Sequence, residues 1–218
     1  MQAYLSNFLL SFFVLQAVVC LHFKLTPAQL LAENITISGE DIDSLDDNIG
    51  EAKNLKFLNI NNTNITSLPE ELKNCKSLET LKINSNEKLK DPFPDFLGDL
   101  TNLKELSLSD LPLMTRVPPK LIRLKKLEVL NISENNLKYP PYRILDLDNF
   151  KKLIIDKLQL ASFSPSEEAE TRRRFGEKLE IIVSCDDIKR LVNEAVFGDL
   201  GKAAEEVLTK DLGKCCIS

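Results

Sequence analysis

The side chains that most often carry chemistry are sparse in this sequence of 218 residues. Its five cysteines are Cys20, Cys75, Cys185, Cys215 and Cys216, and His22 is the single histidine. A zinc site gathers sulfur and nitrogen ligands that usually announce themselves by C-x-x-C or Cys/His spacing, and neither spacing occurs here. No metal is expected. A Cys–His or Ser–His nucleophile has little support, because His22 adjoins a hydrophobic leader. Carboxylates are plentiful, with 33 Asp and Glu against 28 Lys and Arg, yet their spacing puts them on open strands, away from any pocket that could tune a pKa. There is no Walker A sequence and no dinucleotide-binding glycine pattern. The expectation is a non-enzyme without a cofactor, in which Cys75 and Cys185 are small buried hydrophobes.

Chemistry of another kind stands at the two ends. The final four residues, Cys215-Cys216-Ile217-Ser218, match a prenylation box whose terminal Ser favours farnesyl. One lipid anchors only reversibly, so Cys215 with a second lipid on Cys216 would hold the chain on the cytoplasmic face of a membrane. At the opposite end, Phe8 to Leu21 is apolar but for Ser11 and Gln16. That run fits a signal peptide and is short for a membrane span, although no Lys or Arg precedes it and no clean small-x-small site follows. Prenylation is cytosolic, so the two signals exclude each other. The cytoplasmic face of a membrane is the expected location, and a secreted or extracellular protein with its leader removed is the alternative. N-glycosylation acceptors at Asn34, Asn61, Asn64 and Asn131 bear only on the second case.

The elements that position these groups are visible as a repeat. Leu55, Leu58, Ile60 and Ile65 occupy positions 1, 4, 6 and 11 of a unit, and Leu103, Leu106, Leu108 and Leu113 repeat the spacing, as do Leu127, Leu130, Ile132 and Leu137. Leu78, Leu81 and Ile83 open a unit whose last apolar residue, Leu89, is displaced by one. A weaker first unit holds Ala32, Ile35, Ile37 and Ile42, and a last one Phe150, Leu153, Ile155 and Leu160. Alternation around positions 4 and 6 turns Leu58 and Ile60 inward and Asn59 and Asn61 outward, as a short strand requires. Position 9 should carry a turn-satisfying Asn. Asn86 and Asn135 do, Thr63 is a weaker substitute, and Leu111 departs from the pattern.

Six such units resemble the leucine-rich-repeat family over roughly residues 28 to 163. The resemblance implies an α/β leucine-rich-repeat solenoid, curved and right-handed, with parallel strands on the concave face. Leu68-Pro69 followed by Leu72, and Val117-Pro118 followed by Leu121, resemble the shorter, intracellular type of repeat, and predict short helical or 3₁₀ segments on the outer wall. One repeat cannot bury its own apolar face, so stacking supplies the core. The expected domains are a leader or N-terminal cap over 1–31, the solenoid over 32–163, a helical C-terminal cap over 164–212 and a tail over 213–218. Leu25, Leu30 and Leu31 are candidate cap contacts. Ser164-Pro165 followed by Glu167 reads as a helix start, with Glu168–Arg172 and Glu170–Arg174 pairs on its exposed side.

Function on such a scaffold falls to the outward strand positions. Phe57, Asn59, Lys82, Asn84, Glu105, Ser107, Asp110, Glu128, Asn131, Glu134 and Lys152 are the candidate binding residues. They form a hydrogen-bonding surface that turns from acidic near Asp110 and Glu134 to basic near Lys151 and Lys152, suited to a charged polypeptide. The expected function is a noncatalytic interaction scaffold or adaptor holding a protein or peptide on its concave face. The alternatives are a secreted or cell-surface recognition protein and a structural subunit of a larger assembly. The chain is expected to be a monomer. With a net charge of -5, nucleic acid is not an expected partner.

Overall fold

A computed structural model describes residues 21–182. Its central feature is a seven-stranded parallel sheet in the order β2-β4-β5-β6-β7-β8-β9. The strands are β2 (Asn34–Gly39), β4 (Phe57–Thr63), β5 (Thr80–Asn84), β6 (Glu105–Ser107), β7 (Val129–Asn131), β8 (Lys152–Asp156) and β9 (Leu179–Ile182). The chain is a curved α/β leucine-rich-repeat solenoid, as its periodicity predicts.

The sheet forms because positions 4 and 6 of every unit have nowhere else to go. Leu58, Ile60, Leu81, Ile83, Leu106, Leu130, Leu153 and Ile155 are all fully buried, and adjacent strands align these rows, Leu58 opposite Leu81 and Leu81 opposite Leu106. After each strand the chain bends through a left-handed residue at position 8. Asn62, Ser85, Asp110 and Glu134 have φ of 51, 52, 54 and 58°, and the first unit uses Gly39 at φ 142°. Left-handed backbone costs an L-residue roughly 1–2 kcal/mol, so stacking imposes this bend against local preference.

A one-turn 3₁₀ helix closes the outer wall of each unit, over Asp47–Glu51, Glu70–Asn74, Asp95–Asp99, Pro119–Arg123 and Tyr142–Asp146. Four of the five follow a proline: Pro69, Pro94, Pro118 and Pro141. Each drives one aliphatic side chain into the core: Ile49, Leu72, Leu97, Leu121 and Ile144. Neighbouring walls approach closely at Gly50, where an added Cβ would sit 2.6 Å from the Glu71 carbonyl oxygen.

At the N-terminal end, β1 (Leu21–Phe23) pairs in parallel with β3 (Ile42–Leu45) beside the main sheet, and the short helix α1 (Pro27–Leu30) is capped by Thr26. Leu25 is buried and joined to the Asn48 side chain by two hydrogen bonds. Leu31, expected as a cap contact, is exposed instead, because it follows the end of α1 and points into solvent. His22 belongs to this cap, its ring contacting Ser44 at 2.8 Å and Asp46 at 2.9 Å.

At the other end, α2 (Lys157–Ala161) replaces the left-handed bend, and α3 (Pro165–Phe175) begins at the capping box of Ser164 and Glu167. Glu168 pairs with Arg172 as expected. Glu170 holds Arg173 at 2.7 Å, and Arg174 stands only at the edge of contact. Phe175 packs beneath α3 against Tyr142 and Phe150. The strand β9 then joins β8, so the sheet continues beyond residue 163, where the sequence placed its boundary. The helical cap expected past residue 182, the leader through residue 20 and the cysteines Cys185, Cys215 and Cys216 lie outside the described residues.

One repeat is phased differently from expectation. Leu113, assigned to the buried position 11, is 53% exposed, while Leu111 and Met114 are buried. The turn from Leu111 to Met114, closed by a 2.9 Å backbone hydrogen bond, moves the inward position on by one residue, as at Leu89.

Candidate functional site

The outward strand positions form rows across the sheet. One row runs Asn34, Phe57, Thr80, Glu105, Val129 and Lys152. The next runs Thr36, Asn59, Lys82, Ser107, Asn131, Ile154 and Glu180. Phe57, Asn59, Lys82, Asn84, Glu105, Ser107, Asn131 and Lys152 therefore share one face. Glu128 lies just before β7, on the rim. Asp110 and Glu134 occupy the left-handed bends beyond the strands, where with Asp156 and Gln159 they line a groove of 710 Å³.

The charges on this face are spent on one another. Lys82 pairs with Glu105 at 2.9 Å and lies 5.9 Å from the centre of the Phe57 ring. Lys152 pairs with Glu180, and Lys151 with Glu128 at 2.7 Å. The expected drift from acidic to basic is thus neutralised where the basic end was to lie. What remains is a lattice of amides and hydroxyls. Ser107 donates to Asn84 Oδ1 at 2.8 Å, and Ser133 to Asn131 Oδ1 at 2.8 Å. Asn59 Oδ1 and Asn61 Oδ1 are buried carbonyl oxygens with no hydrogen-bond partner. Such orphaned acceptors cost about 1–3 kcal/mol each.

A second ladder frames the face at position 2 of each unit. Glu33, Lys56, Glu79, Lys104, Glu128 and Lys151 alternate in sign across six repeats, pairing as Lys56–Glu33, Lys104–Glu79 and Lys151–Glu128. The hydrogen bond from Lys104 holds the Glu79 carboxyl below its ordinary value, and the same contact raises Lys104. The alternation is legible in the sequence once units are aligned.

The turns beyond the strands are satisfied from within. Asn86 Oδ1 accepts from the backbone and hydroxyl of Thr63, while its Nδ2 donates to the Ile60 and Asn84 carbonyls. Asn135 Oδ1 accepts from Leu111 N at 2.9 Å, and its Nδ2 reaches the Leu108 and Ile132 carbonyls. The unexpected Leu111 is tolerated because the next repeat's asparagine serves its turn. Cys75 is buried, donates to the Ile49 carbonyl at 3.2 Å, and has its thiol pushed up to about 11 by burial. It is a packing residue, not a nucleophile. Among the described residues no cluster of His, Cys, Asp and Glu could hold a metal ion, and no helix is long and apolar enough to cross a membrane.

The family described as Leucine Rich repeats (2 copies) matches residues 53–98. Such repeats are a non-catalytic structural and binding fold, and the solenoid is built from them. No curated protein matches it. Among solved structures, it is similar to a leucine-rich-repeat protein of Leptospira interrogans, at 26% identity and a TM-score of 0.58, over 74% of this chain and 40% of that one. It is also similar to the internalin InlF of Listeria monocytogenes, at 22% identity and TM-score 0.44, over 72% of this chain and 49% of that one. A third is the ectodomain of the Arabidopsis receptor kinase HAESA, solved with a peptide hormone ligand, at 20% and 0.44, over 76% and 33%. The chain spans well under two thirds of each. Of these three, one is a receptor ectodomain and one an internalin, and none is described as an intracellular scaffold. They correct both the intracellular resemblance drawn from the Leu-Pro-x-x-Leu style and the location on the cytoplasmic face of a membrane. That style reflects how proline starts a 3₁₀ turn, a local requirement indifferent to compartment.

Proposed function

We propose that the protein is a secreted or cell-surface recognition protein that holds an extended polypeptide on its concave sheet. The observation that carries this reading is the pair of orphaned acceptors, Asn59 Oδ1 and Asn61 Oδ1, two residues apart on β4 beside the half-buried ring of Phe57. A small rotation of each amide offers an acceptor to a ligand N–H, and filling it removes a cost already present in the free protein. Phe57 supplies the apolar anchor. Asn84, Ser107 and Asn131 continue the polar track, with Lys82, Glu105 and Lys152 as paired charges a ligand can exchange into. Glu128, Asp110 and Glu134 serve as the rim. Because the face is dominated by neutral amides and hydroxyls, it favours main-chain recognition over a strongly charged ligand.

The test is a displayed-peptide selection on the full chain, followed by calorimetry. Phe57→Ala should weaken a selected peptide about tenfold and Asn59→Ala somewhat less, with unchanged melting. Selected peptides indifferent to both would defeat the reading. For compartment, expression in secreting animal cells should yield a chain cleaved near Cys20 and glycosylated at Asn34, which is exposed. Asn64 is expected to be a poorer acceptor, since its Nδ2 already donates to the Glu40 carbonyl. Retention of the leader inside the cell would contradict secretion.

A further inference from the structure

Among the described residues three large hydrophobic side chains are exposed, Leu31, Leu113 and Tyr139, and two of them stand on the same flank. Leu113 lines one cleft and Tyr139 the next, and the clefts share a wall of Arg116, Pro118 and Pro119. Tyr139 is 67% exposed. Its cleft, of about 140 Å³, is floored by Val117, Leu121 and Ile144 and walled by two proline pairs, Pro118-Pro119 and Pro140-Pro141. This is the outer flank of the fourth and fifth repeats, away from the sheet face.

Charge here is handled differently from charge on the sheet face. On the sheet Lys82, Lys151 and Lys152 each have a carboxylate partner, and on the outer wall Lys120 is paired with Asp95. Arg116 and Arg143, which both line the Tyr139 cleft, have no ion-pair or hydrogen-bond partner among the described residues. A third guanidinium, Arg174, lies 4.7 Å over the ring of Tyr142, which also lines the cleft. No Asp or Glu lines it.

We propose that this outer-flank cleft is a second docking surface, separate from the concave face, and that it takes an acidic segment of a partner protein carrying an aliphatic side chain between carboxylates. The aliphatic group enters between Tyr139 and the proline walls, and the flanking carboxylates reach Arg116 and Arg143. Proline walls keep the cleft open without a ligand, so little ordering opposes binding. Arginine suits the role because its planar fork meets a carboxylate in two parallel hydrogen bonds. Exposed apolar side chains rimmed by unpaired charge are a feature that solubility alone disfavours.

The experiment uses the full chain and two fluorescein-labelled peptides, one with two leucines set between four glutamates and one with lysines in place of the glutamates. Fluorescence anisotropy should show the glutamate peptide binding at low salt and weakening as salt rises, with the lysine peptide at least about tenfold weaker. Arg116→Glu with Arg143→Glu should reduce binding of the glutamate peptide about tenfold, and Tyr139→Ser about fivefold. All three side chains are on the surface, so melting should be unchanged. Asn59→Ala should have no effect, which separates this surface from the concave site. A photo-crosslinking p-benzoylphenylalanine at position 139 should capture the glutamate peptide. Equal binding of the two peptides, indifference to the arginine substitutions, or crosslinking to residues 183–218 of the same chain or to a second copy would each overturn the proposal.

Discussion

Two ladders run the length of this solenoid, and comparing them shows what burial does to a hydrogen bond. The charged ladder from Glu33 to Lys151 repeats at position 2 and lies in solvent, with side chains 36 to 66% exposed. The amide ladder through Asn86, Asn135 and Gln159 repeats just beyond the strands and is buried. Both join one repeat to the next at 2.5 to 3.2 Å. Water competes for every contact of the first, so its net worth is small. Nothing competes inside, so removing an asparagine strands backbone groups that no solvent can reach. The repeat's structural requirement therefore rests on neutral amides, and its charges are free to set surface character.

Substitutions can break or sharpen that contrast. The largest effect should come from the apolar floor between the ladders. Leu106→Asp places a charge where exposure is zero and should cost more than about 4 kcal/mol, leaving the chain unfolded by circular dichroism. Near-native melting would mean that the core admits water. Next, Asn135→Ala orphans the Leu111 N–H and the Leu108 and Ile132 carbonyls and should lose about 2–4 kcal/mol in urea unfolding. A loss as small as a surface substitution would erase the distinction between the ladders.

A smaller effect is confined to alkaline solution. Burial pushes the Cys75 thiol up to about 11 in the fold from an ordinary value of 9.0, so the unfolded chain ionises first. Stability is full below pH 9 and falls as pH rises towards 11. Cys75→Ala should remove that part of the alkaline decline in Tm, and an unchanged decline would assign it elsewhere. Least of all, Lys104→Glu puts three carboxylates in a row and should lower Tm by only about 2 °C at low salt. The exchange Glu79→Lys with Lys104→Glu should restore much of it, and high salt should hide the difference. A large, salt-insensitive loss would show the exposed ladder to be structural. Acid weakens the same ladder, because Glu79 has a depressed pKa and its contribution is lost as pH falls through that value.

Much of this was legible in the residues themselves. Positions 1, 4 and 6 are buried in every unit except at Ala32, which opens the first and is only partly buried, because a strand side chain has two faces and the apolar set must take the inner one. The start of α3 was likewise fixed locally, by Ser164, Pro165 and Glu167. Leu113 was misassigned because spacing cannot say on which side of an inserted residue the chain turns, and the Leu111–Met114 turn resolves that only when the neighbouring repeat is stacked on it.

By itself, then, the sequence determined the repeat period and the inward rows, both consequences of residue type and spacing. Only the tertiary structure decided which charges are spent. Lys152 finds Glu180 because β9 returns to the sheet after α3, a contact between residues far apart in the chain. Arg116 and Arg143 line a cleft of prolines and tyrosines that carries no Asp or Glu, and Asn59 Oδ1 and Asn61 Oδ1 are buried without a hydrogen-bond partner. Pairing depends on which side chains lie within about 3 Å, and in a solenoid that is set by the stacking of repeats.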